Sequence, residues 1–195
     1  MAKLIIIGHK GRPEGKVVPE LSLSHLASVL GGVVGEKVNF VNDTVGIEAQ
    51  KKAQNLPDGE ILLLENLRFD LGEEQNNETF AKNLSSLGEV YVNEAFADSH
   101  RPHASIVGIP KFLPHAFGFR FVREIETLSK VLDAPRKPVV LVIGGIKKDK
   151  VDYIKDFTKI TDKILVGGLL PIYFKDVNPD PSKVIMAELT DDTED

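Results

Sequence analysis

The sequence predicts an α/β protein, with a mostly parallel sheet flanked by helices. Two observations carry this prediction. Short apolar runs of strand length alternate with amphipathic stretches of helical spacing, and each of several apolar runs gives way to a loop rich in arginine, histidine or glycine. Residues 3–7, 37–41, 60–64 and 89–92 read as strands. Between them, Leu21, Leu23, Leu26, Val29 and Leu30 line one side of a helix, and Phe80, Leu84 and Leu87 line another. Phe121, Ile125, Leu128 and Leu132 then recur at spacings of four, three and four. That helix ends before Asp133-Ala134-Pro135-Arg136-Lys137-Pro138, a stretch that looks like a domain boundary. Beyond it, residues 139–143 form a buried-strand run that opens a second region.

Composition bounds the function classes. A chain of 195 residues, 42% hydrophobic and 27% charged, can bury one good core or parts of two. No run of about eighteen apolar residues occurs, and the first apolar segment is too short for a signal-peptide core. Zero cysteines exclude disulfides and thiolate metal sites. The expectation is therefore a cytoplasmic protein. A net charge of −5 argues against nucleic acid as the main partner.

Three segments place an arginine where a strand gives way to a loop: Gly8-His9-Lys10-Gly11-Arg12-Pro13, Leu64-Glu65-Asn66-Leu67-Arg68-Phe69, and Asn93 through Asp98-Ser99-His100-Arg101-Pro102-His103. In an open α/β sheet such loops converge on one rim, so three guanidinium forks and up to three imidazoles face one crevice. Arginine suits a multiply charged anion because its planar fork matches two oxygens at once and keeps its charge. Taken singly, each arginine reads equally as a solvated charge or a structural ion pair. Three in equivalent positions point to an anion site. His9, His100 and His103 read either as phosphate or carboxylate contacts or as hydrogen-bonded loop histidines. Asp98 weakens anion binding if it faces the pocket.

These segments resemble the phosphoglycerate kinase family, which carries a His-Leu-Gly-Arg-Pro loop, a Leu-Leu-Glu-Asn-Leu-Arg-Phe strand end and an Ala-Phe-Gly-Thr-Ala-His-Arg-Ala-His loop. Residues Ala104 through Gly108, Lys111-Phe112-Leu113-Pro114 and the later Pro138 through Lys147 agree with it as well, and the similarity runs from about Lys3 to Phe174. The resemblance implies a Rossmann-like three-layer α/β/α fold in two lobes, both incomplete. It divides the chain into a phosphoglycerate-binding lobe at 1–117, an interdomain hinge helix and linker at 118–135, and the beginning of a nucleotide-binding lobe at 136–195. It also implies reversible phosphoryl transfer between 1,3-bisphosphoglycerate and ADP, giving 3-phosphoglycerate and ATP in glycolysis. By position, His9, Arg12, Arg68, Arg101 and His103 inherit substrate binding, and Arg12 and Lys147 the catalytic roles.

In the second region Gly144-Gly145-Ile146-Lys147-Lys148-Asp149-Lys150 follows a strand. Paired glycines there let backbone N–H groups approach a phosphate closely. By itself the motif fits equally a tight turn with solvated lysines, and it matches neither the Walker nor the dinucleotide pattern. The resemblance assigns Gly144, Gly145, Lys147, Lys150, Gly167 and Gly168 to ATP or ADP, bound with Mg2+ whose ligands lie outside this sequence. Lys150 follows Lys147 by three positions where the family has four, and Gly167-Gly168-Leu169 has lost the family's third glycine. The family's members are about twice this length, so the sequence reads as an internal fragment with impaired activity. Open strand edges are expected to promote self-association in a family that is usually monomeric. The alternatives are a non-catalytic anion-binding fragment or an incomplete α/β scaffold; a nicotinamide-dependent oxidoreductase lacks its fingerprint.

Overall fold

The computed structural model describes residues 2–146, 151–152, 154–173 and 182–187. The chain forms two compact units, Met1–Val122 and Arg123–Asp195. In the first, β1 (Leu4–Ile6), α1 (Ser24–Val34), β2 (Val38–Phe40), α2 (Ile47–Gln54) and β3 (Ile61–Leu63) follow in order. They are succeeded by α3 (Leu71–Glu74), α4 (Glu78–Ser85), β4 (Tyr91–Asn93) and β5 (His115–Phe117). Helix α5 (Phe119–Asp133) runs across the division between the units.

Strand β3 is central, pairing in parallel with β1 on one side and β2 on the other, Leu62 opposite Ile5 and Asn39. Leu62 and Leu63 of β3, with Leu64 just after it, show why a continuous apolar run is needed here. Successive side chains point to opposite faces. Leu62 and Leu64 pack into one core with Ala49 and Ala53 of α2 and Phe80, Ala81 and Leu84 of α4, while Leu63 packs with Leu23 and Ala27 of the α1 region. The β1–β3–β2 sheet is thus covered on both faces, the predicted three-layer arrangement. Helix α4 starts where the Asn77 side chain accepts a hydrogen bond from the Phe80 N–H at 3.0 Å, a cap that satisfies one of the helix's free amides.

The predicted strand at 89–92 forms as β4 at 91–93 and pairs in parallel with β5, which the sequence reading passed over. These two strands make a separate sheet from β1–β3–β2. Between β1 and the segment leading into β4 lies a cleft of about 740 Å3, lined by Leu4, Ile5 and Ile7 on one side and Val90, Tyr91 and Val92 on the other. Leu4, Val90 and Val92 are more than half exposed there.

In the second unit β6 (Val140–Ile143), α6 (Ile154–Phe157), β7 (Lys163–Val166), α7 (Leu170–Tyr173) and β8 (Val184–Met186) form a parallel sheet in the order β6–β7–β8. Val151, Ile154, Ile164, Val166 and Leu170 make its small core. Among the described residues no helix is long and apolar enough to cross a membrane.

Candidate functional site: a cationic rim on the first unit

The loop after β3 organises the loop after β1. Leu67 N–H donates to the Gly8 carbonyl at 3.1 Å. The Asn66 amide donates to the carbonyls of Lys10 at 2.8 Å and Leu21 at 2.9 Å, and Arg68 Nη1 donates to the Gly11 carbonyl at 2.8 Å. Gly11 itself sits at φ 68°, and a Cβ there would lie 2.8 Å from Leu21 Cδ2. Only glycine makes this turn without strain. Asn66 is fully buried and also accepts from Arg68 N–H at 3.1 Å. Glu65, buried beside it, accepts from Leu23 N–H at 2.8 Å and Ser22 Oγ at 2.7 Å.

This scaffold sets three guanidinium groups at different depths. Arg12 is exposed and makes no hydrogen bond or ion pair among the described residues. Arg101 is half-buried, and Arg68 is only 3% exposed. Arg68 Nε lies 3.6 Å from Glu74 Oε1, and its Nη2 lies 3.7 Å from Asp98 Oδ1. Neither nitrogen has a hydrogen-bond partner, nor does Arg101 Nε, although the latter approaches Asp98 Oδ1 to 2.9 Å. That short approach is an ion pair with poor hydrogen-bond alignment, since strength falls steeply with angle. Buried charged donors left unmatched are costly, and their persistence calls for a reason.

The histidines divide. His9 Nε2 lies 3.6 Å from Asp98 Oδ2. Burial, and then the Arg68 charge, hold the His9 pKa below its ordinary value, while Asp98 pulls the other way. The approach is therefore between a carboxylate and a ring that favours its neutral form. His103 is buried, with Nδ1 3.7 Å from Glu73 Oε1. Glu73 in turn accepts hydrogen bonds from the N–H and hydroxyl of Ser105. Burial pushes the Glu73 carboxyl above the usual carboxylate range, against those bonds and the nearby His103 and Arg68. His100 is exposed. So Arg68, Arg101 and His9 meet around Asp98 in one rim, with His103 nearby against Glu73, while Arg12 is exposed in the loop whose Gly11 carbonyl accepts from Arg68.

Asn66, Glu73 and Glu74 were missed as parts of this site. For Asn66 the signal was present, in the polar pair Glu65-Asn66 set between buried leucines. For the two glutamates it was not, because their role depends on the turn of α3.

In the second unit, Gly144 and Gly145 follow β6 and Gly167 and Gly168 follow β7, so the predicted glycines do meet. Leu169 N–H donates to the Gly145 carbonyl at 3.0 Å, and a Cβ on Gly168, at φ 63°, would come within 2.8 Å of that oxygen. The Gly167 N–H is committed to the Ile143 carbonyl at 2.9 Å. Among the described residues, its chain neighbours aside, no atom would meet a Cβ added at Gly167 within 4 Å. Lys147 and Lys150 lie outside the described residues.

A family model described as phosphoglycerate kinase matches residues 1–185. The chain belongs to the phosphoglycerate kinase family. Phosphoglycerate kinases of Thermomicrobium roseum and Moorella thermoacetica are 46% and 47% identical to it over 168 residues. These alignments take in 86% of this chain and 43% of each relative, so the chain spans less than half the length of the curated relatives it matches. Among solved structures, phosphoglycerate kinase from Pyrococcus horikoshii superposes with a TM-score of 0.76 at 31% identity, over 88% of this chain and 44% of that one. The enzyme from Coxiella burnetii gives 0.70 at 34%, over 85% and 41%. The family membership expected from the three arginine segments and the α/β fold expected from the alternation of apolar runs and amphipathic stretches both stand.

Proposed function

We propose that this chain serves reversible phosphoryl transfer between 1,3-bisphosphoglycerate and ADP, and that its first unit binds phosphoglycerate. The observation that supports this most is the set of buried N–H donors that lack a hydrogen-bond partner among the described residues, Arg68 Nε and Nη2 and Arg101 Nε, in loops that also carry the exposed Arg12. Asp98 and Glu74 meet these donors only as ion pairs, and the well-aligned oxygens of a phosphate are the hydrogen-bond complement they lack. In this reading His9, Arg68, Arg101 and His103 hold and orient phosphoglycerate. Arg12 and Lys147 neutralise charge on the transferring phosphoryl group, where charge stabilisation and in-line positioning carry most of the catalysis.

For the nucleotide, Gly144, Gly145, Gly167 and Gly168 would give phosphates a close approach to bare backbone, and Lys147 and Lys150 would add charge. The open space over Gly167 fits that role, while its committed amide means that the missing side chain, rather than the N–H, is what it offers. Mg2+ carried with the nucleotide would supply charge neutralisation at its phosphates. Among the described residues no group of three or more His, Cys, Asp or Glu side chains gathers to hold a metal ion. We further assign residues 1–117 to phosphoglycerate binding, 118–135 to a hinge and 136–195 to nucleotide binding.

Titrating 3-phosphoglycerate into isotopically labelled protein tests the reading. Amide shifts are expected in residues 8–12, 66–69 and 95–103, with affinity that falls as salt rises. An absence of shifts in these loops, or binding insensitive to salt, would overturn it. A coupled ATP-forming assay on the same sample then separates binding from turnover.

A further inference from the structure

The rim holds a carboxylate of its own. Asp98 lies 2.9 Å from Arg101 Nε, 3.7 Å from Arg68 Nη2 and 3.6 Å from His9 Nε2, so one side chain touches three of the groups assigned to the ligand. We infer that Asp98 is a resident counter-anion of the rim, which occupies the cations in the free protein and is exchanged against the incoming anion, so that it weakens ligand affinity. The inference rests on the anion-binding reading above and adds a residue that sets its strength.

The alternative role for Asp98 is to hold the cations in place for the ligand. The geometry argues against it, because the scaffold is fixed without the carboxylate. Arg68 is anchored by its bond to the Gly11 carbonyl and lies near Glu74. The loop bearing Asp98 and Arg101 is closed by its own bonds. Asn93 Oδ1 accepts from Ala95 N–H at 2.8 Å, Ser99 Oγ donates to the Ala95 carbonyl at 2.8 Å, and Arg101 N–H donates to the Asp98 backbone carbonyl at 2.9 Å. None of these uses the Asp98 carboxylate. Its three partners are all long or misaligned as hydrogen bonds, which is the mark of charges gathered by attraction rather than locked by direction. Asp98 is also partly open to solvent, so it has somewhere to turn when displaced.

A fixed negative charge repels a ligand in proportion to the ligand's own charge. Replacing Asp98 by Asn keeps the shape and an accepting oxygen and removes that repulsion. The affinity for inorganic phosphate at pH 8, mostly a dianion, is expected to rise on the order of tenfold, and that for the monoanion glycerate about threefold. A role in holding the cations predicts the reverse, a loss for both ligands.

The experiment titrates inorganic phosphate, glycerate and 3-phosphoglycerate into the whole chain, its Asp98→Asn variant and its Asp98→Ser variant, followed by NMR. The His9 ring is titrated with pH in each. Of the charged and titratable groups that act on His9, Arg68, Arg101 and His103 lower its pKa and Asp98 alone raises it. The ring pKa should therefore fall in both variants while its neighbours' shifts show the fold intact. Tighter binding that grows with ligand charge, together with a lower His9 pKa, supports the proposal. Unchanged or weaker phosphate binding by variants whose His9 pKa has fallen overturns it and leaves the anion site standing. An unmoved His9 pKa also overturns it, since Asp98 would then not act on the rim. If the unmodified chain and both variants all fail to bind phosphate and 3-phosphoglycerate, the anion-site reading falls as well.

Discussion

Replacing Arg68 by Met separates a residue held for function from one held for stability. Methionine retains most of the buried stem and removes the guanidinium. The loss to folding is then the charged hydrogen bond to the Gly11 carbonyl, worth about 1.5–3 kcal/mol, and two long ion pairs. Glu74 and Asp98 are each about a third exposed, so solvent screens those pairs to about 0.5 kcal/mol apiece. Against this stands relief. Nε and Nη2 are buried without partners, and removing unmatched donors recovers about 1–3 kcal/mol. A loss of about 2.5–4 kcal/mol is partly offset by a recovery of about 1–3 kcal/mol, and the net destabilisation is expected on the order of 1 kcal/mol. Anion binding has no such compensation. Losing one partner of a desolvated charged contact costs about 2–5 kcal/mol, which is a fall in 3-phosphoglycerate affinity of at least about thirtyfold.

Two measurements check this. Hydrogen exchange at the amides of β3 in the first unit and of β7 in the second reports stability unit by unit, which a single unfolding curve would blend. NMR titration reports affinity. Removal of the Arg68 charge should also raise the His9 pKa, for which Arg68 is the largest cause after burial. A variant that loses more than about 3 kcal/mol of β3 protection yet binds 3-phosphoglycerate as before would refute the reasoning and make Arg68 a structural arginine.

Two further outcomes follow from the same groups. Because the folded His9 pKa lies below the ordinary 6.5, the unfolded chain binds more protons as pH falls through 6.5, so stability declines on acidification from that point until the folded ring also protonates. His9→Gln should flatten this part of the stability–pH curve; an unaltered slope would show that the ring is not buried as described. Tyr91, whose phenol is pushed up to about 12 first by burial and then by the Glu73 charge, should give a late phase in an alkaline absorbance titration. Tyr91→Phe should abolish that phase, and since the folded chain holds this proton longer than the unfolded one, stability should fall as pH rises above 10.

How much of this was legible in the sequence depended on whether a signal was local. The strands at β1, β2, β3 and β6 and the stripes of α1, α4 and α5 were readable from apolar spacing, but burial followed the spacing only in part. Helix α5 buries Phe121 and leaves Ile125, Leu128 and Leu132 exposed, α1 leaves Val29 exposed, and β6, expected to be buried, leaves Val140 and Val142 exposed. Helix α2 was not readable. It buries only Ala49 and Ala53 while Ile47 remains exposed, and two small residues leave too faint a stripe. Strand β5 escaped for a similar reason, since His115, Ala116 and Phe117 are all exposed and are recruited by pairing with β4. The arginines of the rim were legible because their motifs are continuous in sequence. Their counter-charges were harder to read, because Glu73 and Glu74 reach the rim only through the turn of α3, and the facing of Asp98 depends on the 3-10 turn Phe96–Asp98.

That turn also explains why the loop after β4 carries so many polar residues in so short a span. Its Glu94 accepts from the N–H groups of Arg120 at 3.4 Å and Phe121 at 3.0 Å, placing a carboxylate at the first turn of α5, where the helix dipole favours negative charge. Phe121 is held there by stacking on Phe117 at 4.3 Å and edge-on against Phe96 at 5.3 Å. Phe96 opens the turn that ends in Asp98. One stretch from Asn93 to Arg101 therefore fixes the first turn of α5 with one carboxylate and meets the cations of the rim with another. The two carboxylates differ in what surrounds them: Glu94 is tied to backbone N–H groups that no ligand replaces, whereas Asp98 faces side chains whose charge an incoming anion can satisfy equally well. That difference assigns Glu94 to the fold and Asp98 to the exchange.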